Sequence, residues 1–262
     1  FGGAYLRRVY TLLDAAIGAG CPMTVAIAGP VTVSGQQHTW LNPLLETGWV
    51  AYLSTTDAVC YHDGHRSLDG HRDPVFEVPI FGDDGALRED RTIRVTDMAF
   101  DEQVLIDQDR FLTACLGRPE FQKKMTGTEL RYLLGACYAA QEQRSGVSPG
   151  LLATCHRLAI PVLVGAPADG SVFLNAMKLW AMKKAGLIPE HGFELDLQGG
   201  ISERGDGESG RYGFNWGKKF FDDKLKRLHF DTTTYDKDAL ELLFKVVGPD
   251  RVLFATENPG TG

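Results

Sequence analysis

The chain has 262 residues, of which 44% are hydrophobic and 23% are charged, a composition typical of a globular protein. Its formal net charge of −7 argues against nonspecific nucleic-acid binding, because neutralising phosphates takes clustered lysines and arginines. No apolar run approaches the roughly 18 residues needed to cross a bilayer, so we expect no membrane protein.

The five cysteines are dispersed and form no CxxC pair. Such usage is typical of reduced thiols and predicts a cytoplasmic location. The sequence begins at Phe1 without Met and stops just after a strand-like run, so we interpret it as a fragment at both ends.

The first two-thirds of the chain alternates helical and strand-like segments. In chain order these are a helix at 12–19, a strand at 24–28, a helix at 40–45, a strand at 50–56, helices at 126–144 and 151–158, a strand at 160–164 and a helix at 171–185. This alternation predicts a parallel sheet covered by helices on both faces. Such sheets place their chemistry in the loops at the carboxyl ends of the strands, here 29–38, 55–73 and 165–171.

Two segments do not continue this alternation. Residues 73–110 are acidic and rich in turn residues, and we interpret them as an insertion with mostly solvated charges. Residues 198–210 contain five glycines, which indicates a linker or long loop that we expect to be poorly ordered up to residue 215. A helix at 236–247 and a strand at 251–257 follow.

The segment Gly205-Asp-Gly-Glu-Ser-Gly210 spells the dinucleotide-binding pattern GxGxxG. That fingerprint must follow a strand and open a helix, and the following Arg211-Tyr-Gly-Phe-Asn is no helix. We therefore favour a flexible loop.

The densest polar cluster, 61–71, follows a predicted strand. His62, His65 and His71 with Asp63 and Asp69 suit a transition metal, or else a metal-free active-site loop, or a surface turn with scattered histidines. The active-site loop is the interpretation we favour.

Two further positions have a functional and a plain interpretation. Asp169 or Ser171 would cap the helix that begins there, and the amides of that helix would otherwise receive a phosphate or carboxylate. Lys218 would be a nucleophilic amine if it were buried, whereas a lysine in a basic, glycine-rich stretch is usually solvated.

Residues 4 to about 197 resemble the deoxyhypusine synthase family, especially its bacterial members. The matching runs are Val25-Ala-Ile-Ala-Gly-Pro-Val-Thr-Val-Ser-Gly35, Leu53-Ser-Thr-Thr56 with Tyr61-His-Asp63, Ile160-Pro-Val-Leu-Val164 with Ala166-Pro-Ala-Asp-Gly-Ser171, and Gly192-Phe-Glu-Leu-Asp196. The resemblance implies a Rossmann-like α/β fold, NAD as cofactor and a homotetramer. It also implies that spermidine is oxidised and that its aminobutyl group passes, through an imine on an active-site lysine, to a protein lysine or a small diamine.

The resemblance also implies site residues. The positions that fall where the family contacts NAD are Ser34, Gly35, Thr55, Thr56, Asp169, Gly170 and Ser171. Tyr61, His62 and Asp63 fall at the substrate, where eukaryotic members use two glutamates at the first two of these positions to hold the ammonium groups. We expect His62 to line the same crevice as a polar or general-base contact rather than a metal ligand, because its ordinary pKa suits proton transfer at neutral pH.

The resemblance ends after Leu197. Gly207-Glu-Ser-Gly210 and Trp216-Gly-Lys218 only echo the family's later motifs, although Lys218 is our candidate for the catalytic lysine. Residues 216–262 instead resemble the last strands of a metal-dependent amidohydrolase barrel, of its decarboxylase and 4-oxalomesaconate hydratase branch. In that family the residue at Glu257 lies at the metal site.

We therefore predict a deoxyhypusine-synthase-like NAD-binding domain at 1–197, a glycine-rich junction at 198–215, and an amidohydrolase-like (TIM-barrel) fragment at 216–262. The predicted activity is NAD-dependent aminobutyl transfer from a polyamine. The alternatives are a metal-dependent hydratase or decarboxylase, with zinc or a similar divalent metal at Glu257 and nearby histidines, and a catalytically inactive scaffold. If residues 216–262 pack loosely, Lys218 would lie outside the crevice.

Overall fold

The computed structural model describes residues 2–68, 74–164, 170–187, 194–196, 230–232 and 237–254. The chain divides into two compact units, Phe1–Gly200 and Ile201–Gly262. Within the described residues, no helix is long and apolar enough to cross a membrane.

The centre of the first unit is a three-stranded parallel sheet. Its strands are β1 (Met23–Ala26), β2 (Val50–Thr55) and a third, β7 (Val162–Val164), in the order β1-β2-β7. Ala26 pairs with Ser54, and Thr55 pairs with Val164, so the carboxyl ends of all three strands lie at one edge. The predicted α/β fold with a parallel sheet is confirmed.

Eight α-helices belong to the described part of this unit. They are α1 (Gly3–Gly18), α2 (Asn42–Glu46), α3 (Asp57–Asp63), α4 (Asp84–Glu89), α5 (Glu102–Leu116), α6 (Gly127–Ser145), α7 (Leu151–Leu158) and α8 (Ser171–Lys184). A π-helical turn, Gln37–Leu41, leads into α2, and 3₁₀ turns follow α3 and α5 at Gly64–Arg66 and Pro119–Phe121. The predicted helix at 40–45 therefore begins earlier, at Gln37.

Helices α6 and α7 pack against each other in the core. Residues of both helices are fully buried, among them Leu134, Tyr138 and Leu151. A side chain at Gly135 would place its Cβ 2.4 Å from the main-chain oxygen of Leu152, so only glycine permits this approach. The Thr126 hydroxyl accepts a hydrogen bond from the Glu129 amide at 3.1 Å and so caps the start of α6.

Residues 76–116 contain more regular secondary structure than the sequence predicts. They form an antiparallel sheet, β3-β5-β4, from Phe76–Glu77 (β3), Thr92–Val95 (β4) and Met98–Asp101 (β5), followed by α5. The described charged side chains of 74–110 are exposed or half-buried, in agreement with the expectation of mostly solvated charges, but one face of α5 is buried in the core. The buried residues of this face are Val104, Gln108, Leu112, Cys115 and Leu116.

A second parallel pair joins two distant segments of the first unit. Strand β6 (Lys124–Thr126) pairs with β8 (Glu194–Asp196). The family-like run 192–196 thus contributes a strand in the part of it that the structure describes.

The second unit contains a strand–helix–strand element. Strands β9 (Phe230–Asp231) and β10 (Val252–Leu253) are parallel, and α9 (Lys237–Val247) lies between them in sequence. Parallel strands joined by a helix occur in barrels and in open sheets alike, so the amidohydrolase fragment stays a prediction. The junction 198–215 and the GxGxxG segment lie outside the described residues.

Candidate functional site

The segments that follow β1, β2 and β7 contact one another at the carboxyl edge of the sheet. The Thr32 hydroxyl donates to the main-chain oxygen of Val59 at 2.8 Å, which ties the loop after β1 to α3. Arg66 donates to the main-chain oxygen of Val33 at 2.8 Å. The predicted convergence of the loops 29–35, 55–63 and 166–171 is confirmed for the parts that the structure describes.

Asp57 joins the start of α3 to the start of α8. Its buried carboxylate accepts a hydrogen bond from the amide of Val172 at 2.8 Å and another from Nη2 of Arg131 at 3.3 Å. A Cβ at Gly170 would lie 2.0 Å from Oδ2 of Asp57, so glycine is required there. Burial raises the pKa of Asp57, and the Arg131 guanidinium opposes that shift. The anion at the N-terminus of α8 is therefore a side chain of this protein.

The candidate cofactor residues lie along the same edge. Ser34 and Gly35 belong to the turn after β1, where Gly35 has a φ of +77° and lies against the Arg66 guanidinium. Thr55 ends β2 and is buried, and its Oγ1 has no hydrogen-bond partner among the residues that the structure describes. Thr56 is exposed beside it.

The remaining cofactor candidates follow β7. Gly170 and Ser171 directly precede and begin α8, whereas Asp169 lies outside the described residues. A buried hydroxyl without a partner beside an exposed one suits a hydroxyl-rich cofactor such as NAD, because an unpaired buried polar group is costly until a ligand supplies a partner.

Tyr61 does not point a free hydroxyl into solvent. Its Oη donates to Oδ1 of Asp109 at 2.9 Å, and Nδ2 of Asn175 donates to the same oxygen at 2.7 Å. Burial raises the pKa of Tyr61 far above its usual value, and the bond to Asp109 raises it further. One carboxylate of α5 thus bridges α3 and α8.

His62 lies in a small aromatic cluster. Its Nδ1 is 3.2 Å from Nε2 of His65, and both rings meet Phe100 edge-on. Burial lowers the pKa of His62, which favours the neutral imidazole at neutral pH. A neutral imidazole is able to accept a proton, so the geometry is compatible with the predicted base.

The histidines are not gathered as metal ligands in the described part of the chain. No group of three His, Cys, Asp or Glu side chains there could hold a metal ion. Asp69, His71 and Glu257 lie outside the described residues, and so does Lys218.

Asp63 binds the main chain. Its two oxygens accept hydrogen bonds from the amides of Leu151 and Leu152 at 2.7 and 2.8 Å and so cap α7. Glu142 lies beside it and accepts from the amide of Gly150 at 3.0 Å. Burial raises the pKa of Asp63 to about 6 and that of Glu142 to about 7. The substrate role of Asp63 stays a prediction, and its carboxylate is engaged by α7.

Comparison with known proteins decides the family. Residues 1–203 match the family model "Deoxyhypusine synthase". The chain belongs to the deoxyhypusine synthase family. The match ends at residue 203, so the resemblance of 216–262 to an amidohydrolase stays a prediction.

The relatives of this deoxyhypusine synthase family member are longer than the chain. A deoxyhypusine synthase-like protein of Nostoc sp. (strain PCC 7120) is 32% identical over 214 residues, which cover 80% of this chain and 55% of the relative. One of Nostoc punctiforme is 30% identical over 204 residues, which cover 77% and 51%. The chain spans about half the length of the curated relatives that it matches.

Solved structures are also similar to the chain. A crystal structure from Entamoeba histolytica that bears the deoxyhypusine synthase name superposes with a TM-score of 0.46 at 14% identity, over 70% of this chain and 51% of that one.

Sequence reasoning missed three charged residues of this family member's candidate site. Asp57 of α3 and Arg131 of α6 contact each other only in the folded chain, and Asp109 of α5 contacts Tyr61 and Asn175. A signal existed for Asp57, since it directly follows the polar end of a buried strand. Asp109 had a weaker signal, because its helix has apolar residues at helical spacing within an acidic segment.

Proposed function

We propose that the chain is the NAD-binding part of an enzyme that transfers an aminobutyl group from a spermidine-like polyamine to a protein lysine or a small amine. The observation that carries the proposal is the family match over residues 1–203. The contacts between the segments after β1, β2 and β7 support it, because parallel sheets bind dinucleotides at this edge.

NAD would be held by Ser34 and Gly35 after β1, by Thr55 and Thr56 after β2, and by Asp169, Gly170 and Ser171 before α8. When bound, NAD supplies an acceptor for the hydride from the carbon next to the substrate amine. The Thr55 hydroxyl supports this assignment, since it is buried and lacks a partner among the described residues.

Protein side chains would handle the amine and its protons. His62, neutral because it is buried, would accept a proton from the substrate ammonium. Tyr61 would line the same substrate-binding site. Lys218 would carry the aminobutyl group as an imine, since an amine nucleophile is what imine formation requires.

We further propose a homo-oligomer, a homotetramer as in the family, in the cytoplasm. Helix α1 supports an oligomer, because none of its residues is buried and it exposes apolar side chains that soluble proteins usually cover. The exposed side chains are Tyr5, Leu6, Val9, Tyr10, Leu12 and Leu13. The cytoplasm suits five cysteines that are all free.

The test of the proposal is NAD binding, measured by thermal shift and by calorimetry. Millimolar NAD should raise the melting temperature, because a ligand that binds the folded state stabilises it. Addition of spermidine or 1,4-diaminobutane should then reduce NAD. A chain that neither binds NAD nor reduces it in the presence of amines would contradict the proposal.

The variant Thr55→Val sharpens this test. Loss of one hydrogen bond should weaken NAD binding roughly three- to tenfold. The NAD-free protein should keep or gain stability, because the substitution removes an unpaired buried hydroxyl. Thr24→Val makes the same change at an exposed position of β1 and should leave NAD affinity unchanged. Equal NAD affinity of Thr55→Val and the wild type would remove Thr55 from the cofactor site.

A further inference from the structure

Among the described residues, the donors to the Asp109 carboxylate bind one of its two oxygens. Both hydrogen bonds that it accepts, from Oη of Tyr61 at 2.9 Å and from Nδ2 of Asn175 at 2.7 Å, go to Oδ1. No donor to Oδ2 is present among the residues that the structure describes. The side chain is half-buried, so the carboxylate remains reachable from solvent.

The charge of Asp109 is not neutralised by a neighbour in the described part of the chain. Asp107, two residues earlier on α5, pairs with Arg110 at 3.0 Å, but no such ion pair involves Asp109. The nearby Lys178 donates to Oδ1 of Asn175 at 2.9 Å. This bond turns the amide so that its NH₂ group faces Asp109, and the carboxylate is therefore held in one orientation.

The position of Asp109 relative to the sheet edge is set by its two donors. Tyr61 is the fifth residue of α3 and Asn175 the fifth of α8, and both helices begin at the carboxyl ends of strands. Four residues of helix span about 6 Å, so Asp109 joins the two helices about one turn from the edge. His62, the proposed base, follows Tyr61 in sequence, and the two rings contact each other edge-on.

The other carboxylates near this edge are already engaged. Asp57 binds Arg131 and the start of α8, and Asp63 binds the start of α7. Glu142, beside Asp63, also has an oxygen without a partner among the described residues, but that atom is buried. Among the described carboxylates at this place, Asp109 is thus the half-buried one with an oxygen left for a cationic ligand.

We propose that Asp109 binds a primary ammonium group of the amine substrate through Oδ2, with Tyr61 and Asn175 as positioning residues. The inference rests on the proposed function for the identity of the substrate as an amine. A half-buried carboxylate with a fixed orientation suits an ammonium group, because charge-assisted hydrogen bonds are stronger than neutral ones.

The test is calorimetric titration of the 262-residue chain with 1,4-diaminobutane. Asp109→Asn keeps a side-chain oxygen for Tyr61 and Asn175 but removes the charge, and it should weaken binding roughly tenfold to a hundredfold. Asp107→Asn makes the same change on the same helix and should change the affinity less than twofold. Asp109→Ser, a smaller neutral variant, should weaken binding as Asp109→Asn does. It provides a second variant in case one of the two does not fold.

A second readout separates charge recognition from a merely structural role. The uncharged 1,4-butanediol should bind the wild type and Asp109→Asn equally weakly, whereas Asp109→Glu should recover part of the affinity for the diamine. Equal diamine affinity of wild type and Asp109→Asn, or no diamine binding by the wild type, would overturn the inference.

The same proteins distinguish this inference from the proposed function. Diamine binding that depends on Asp109, without any amine-dependent reduction of NAD, would support the inference and refute the proposed activity. Amine-dependent reduction of NAD with the same amine KM in Asp109→Asn would support the activity and overturn the inference.

Discussion

At the residue scale, two buried carboxylates of α3 hold other helices in place. Asp57 binds the first amides of α8, and Asp63 binds those of α7. A carboxylate at a helix N-terminus is favoured by the helix dipole and satisfies amides that have no partner within the helix. The short helix α3 therefore fixes where α7 and α8 begin, and with them the shape of the carboxyl edge.

The ion pair of Asp57 and Arg131 provides a residue-scale prediction. Both side chains are at most 4% exposed, so Asp57→Asn leaves the Arg131 charge buried without its partner. We expect a loss of about 3–5 kcal/mol in the free energy of unfolding, measured by urea denaturation. Asp84→Asn breaks an exposed pair with Arg94 and should change stability little. Similar urea midpoints for both variants would show that the buried pair does not stabilise the fold.

At the element scale, the junction of α6 and α7 contains two carboxyl groups that titrate near neutrality. Glu142 accepts from the Ser67 hydroxyl at 2.7 Å and from the Gly150 amide, while its Oε2 is buried without a partner among the described residues. Asp63 lies close enough to raise the pKa of Glu142 beyond the effect of burial alone. Protonation of Glu142 relieves both the repulsion and the cost of burying its charge.

The pH dependence of stability follows from the direction of these shifts. Because the folded-state pKa of Glu142 is raised from 4.5 to about 7, the folded protein binds the proton more tightly than the unfolded chain. Its stabilising contribution is complete below about pH 4.5 and is lost as the pH rises through 7. We expect the free energy of unfolding, measured in urea between pH 5 and 8, to fall by roughly 2 kcal/mol through this group.

Glu142→Gln is the variant that isolates this contribution. It should flatten the fall in stability with pH, since the amide accepts from Ser67 and Gly150 but does not titrate. Glu129→Gln changes an exposed residue of the same helix and should keep the wild-type profile. A wild-type pH profile in Glu142→Gln would contradict the assignment.

The elements themselves were predictable where local patterns and tertiary structure agree. The helix at 151–158 has the predicted bounds, and β2 differs from its prediction only at Thr56. Helix α5 was not predicted, because its acidic residues obscured the apolar face that contacts the core. At the candidate site, the sequence pattern predicted that polar residues follow the ends of the strands. It gave no sign that Tyr61 would donate a hydrogen bond to Asp109, which is 48 residues away in sequence.

At the scale of the whole molecule, the main apolar cluster among the described residues belongs to the first unit. Every member of the main cluster of buried residues lies between Leu41 and Leu179. The candidate cofactor residues and Asp109 lie in the same unit, whereas Lys218 belongs to the second. The proposed binding and the proposed transfer step would therefore use different parts of the chain.

A chain ending at residue 200 tests whether binding needs only the first unit and the transfer step also needs the second. We expect it to unfold cooperatively, with a melting temperature within a few degrees of the full chain, because it keeps the whole main core. It should also keep the NAD-induced shift and Asp109-dependent diamine binding. Covalent trapping of the amine with borohydride in the presence of NAD should be lost, since Lys218 is absent.

The full-length variant Lys218→Ala is the matched control for this truncation. It should lose trapping to the same extent while it retains amine-dependent reduction of NAD, because only the carrier amine is removed. Trapping that persists in Lys218→Ala would show that another amine carries the aminobutyl group. A truncated chain without a cooperative transition would show that the first unit needs residues 201–262 to fold, and the two units would then form a single folding domain.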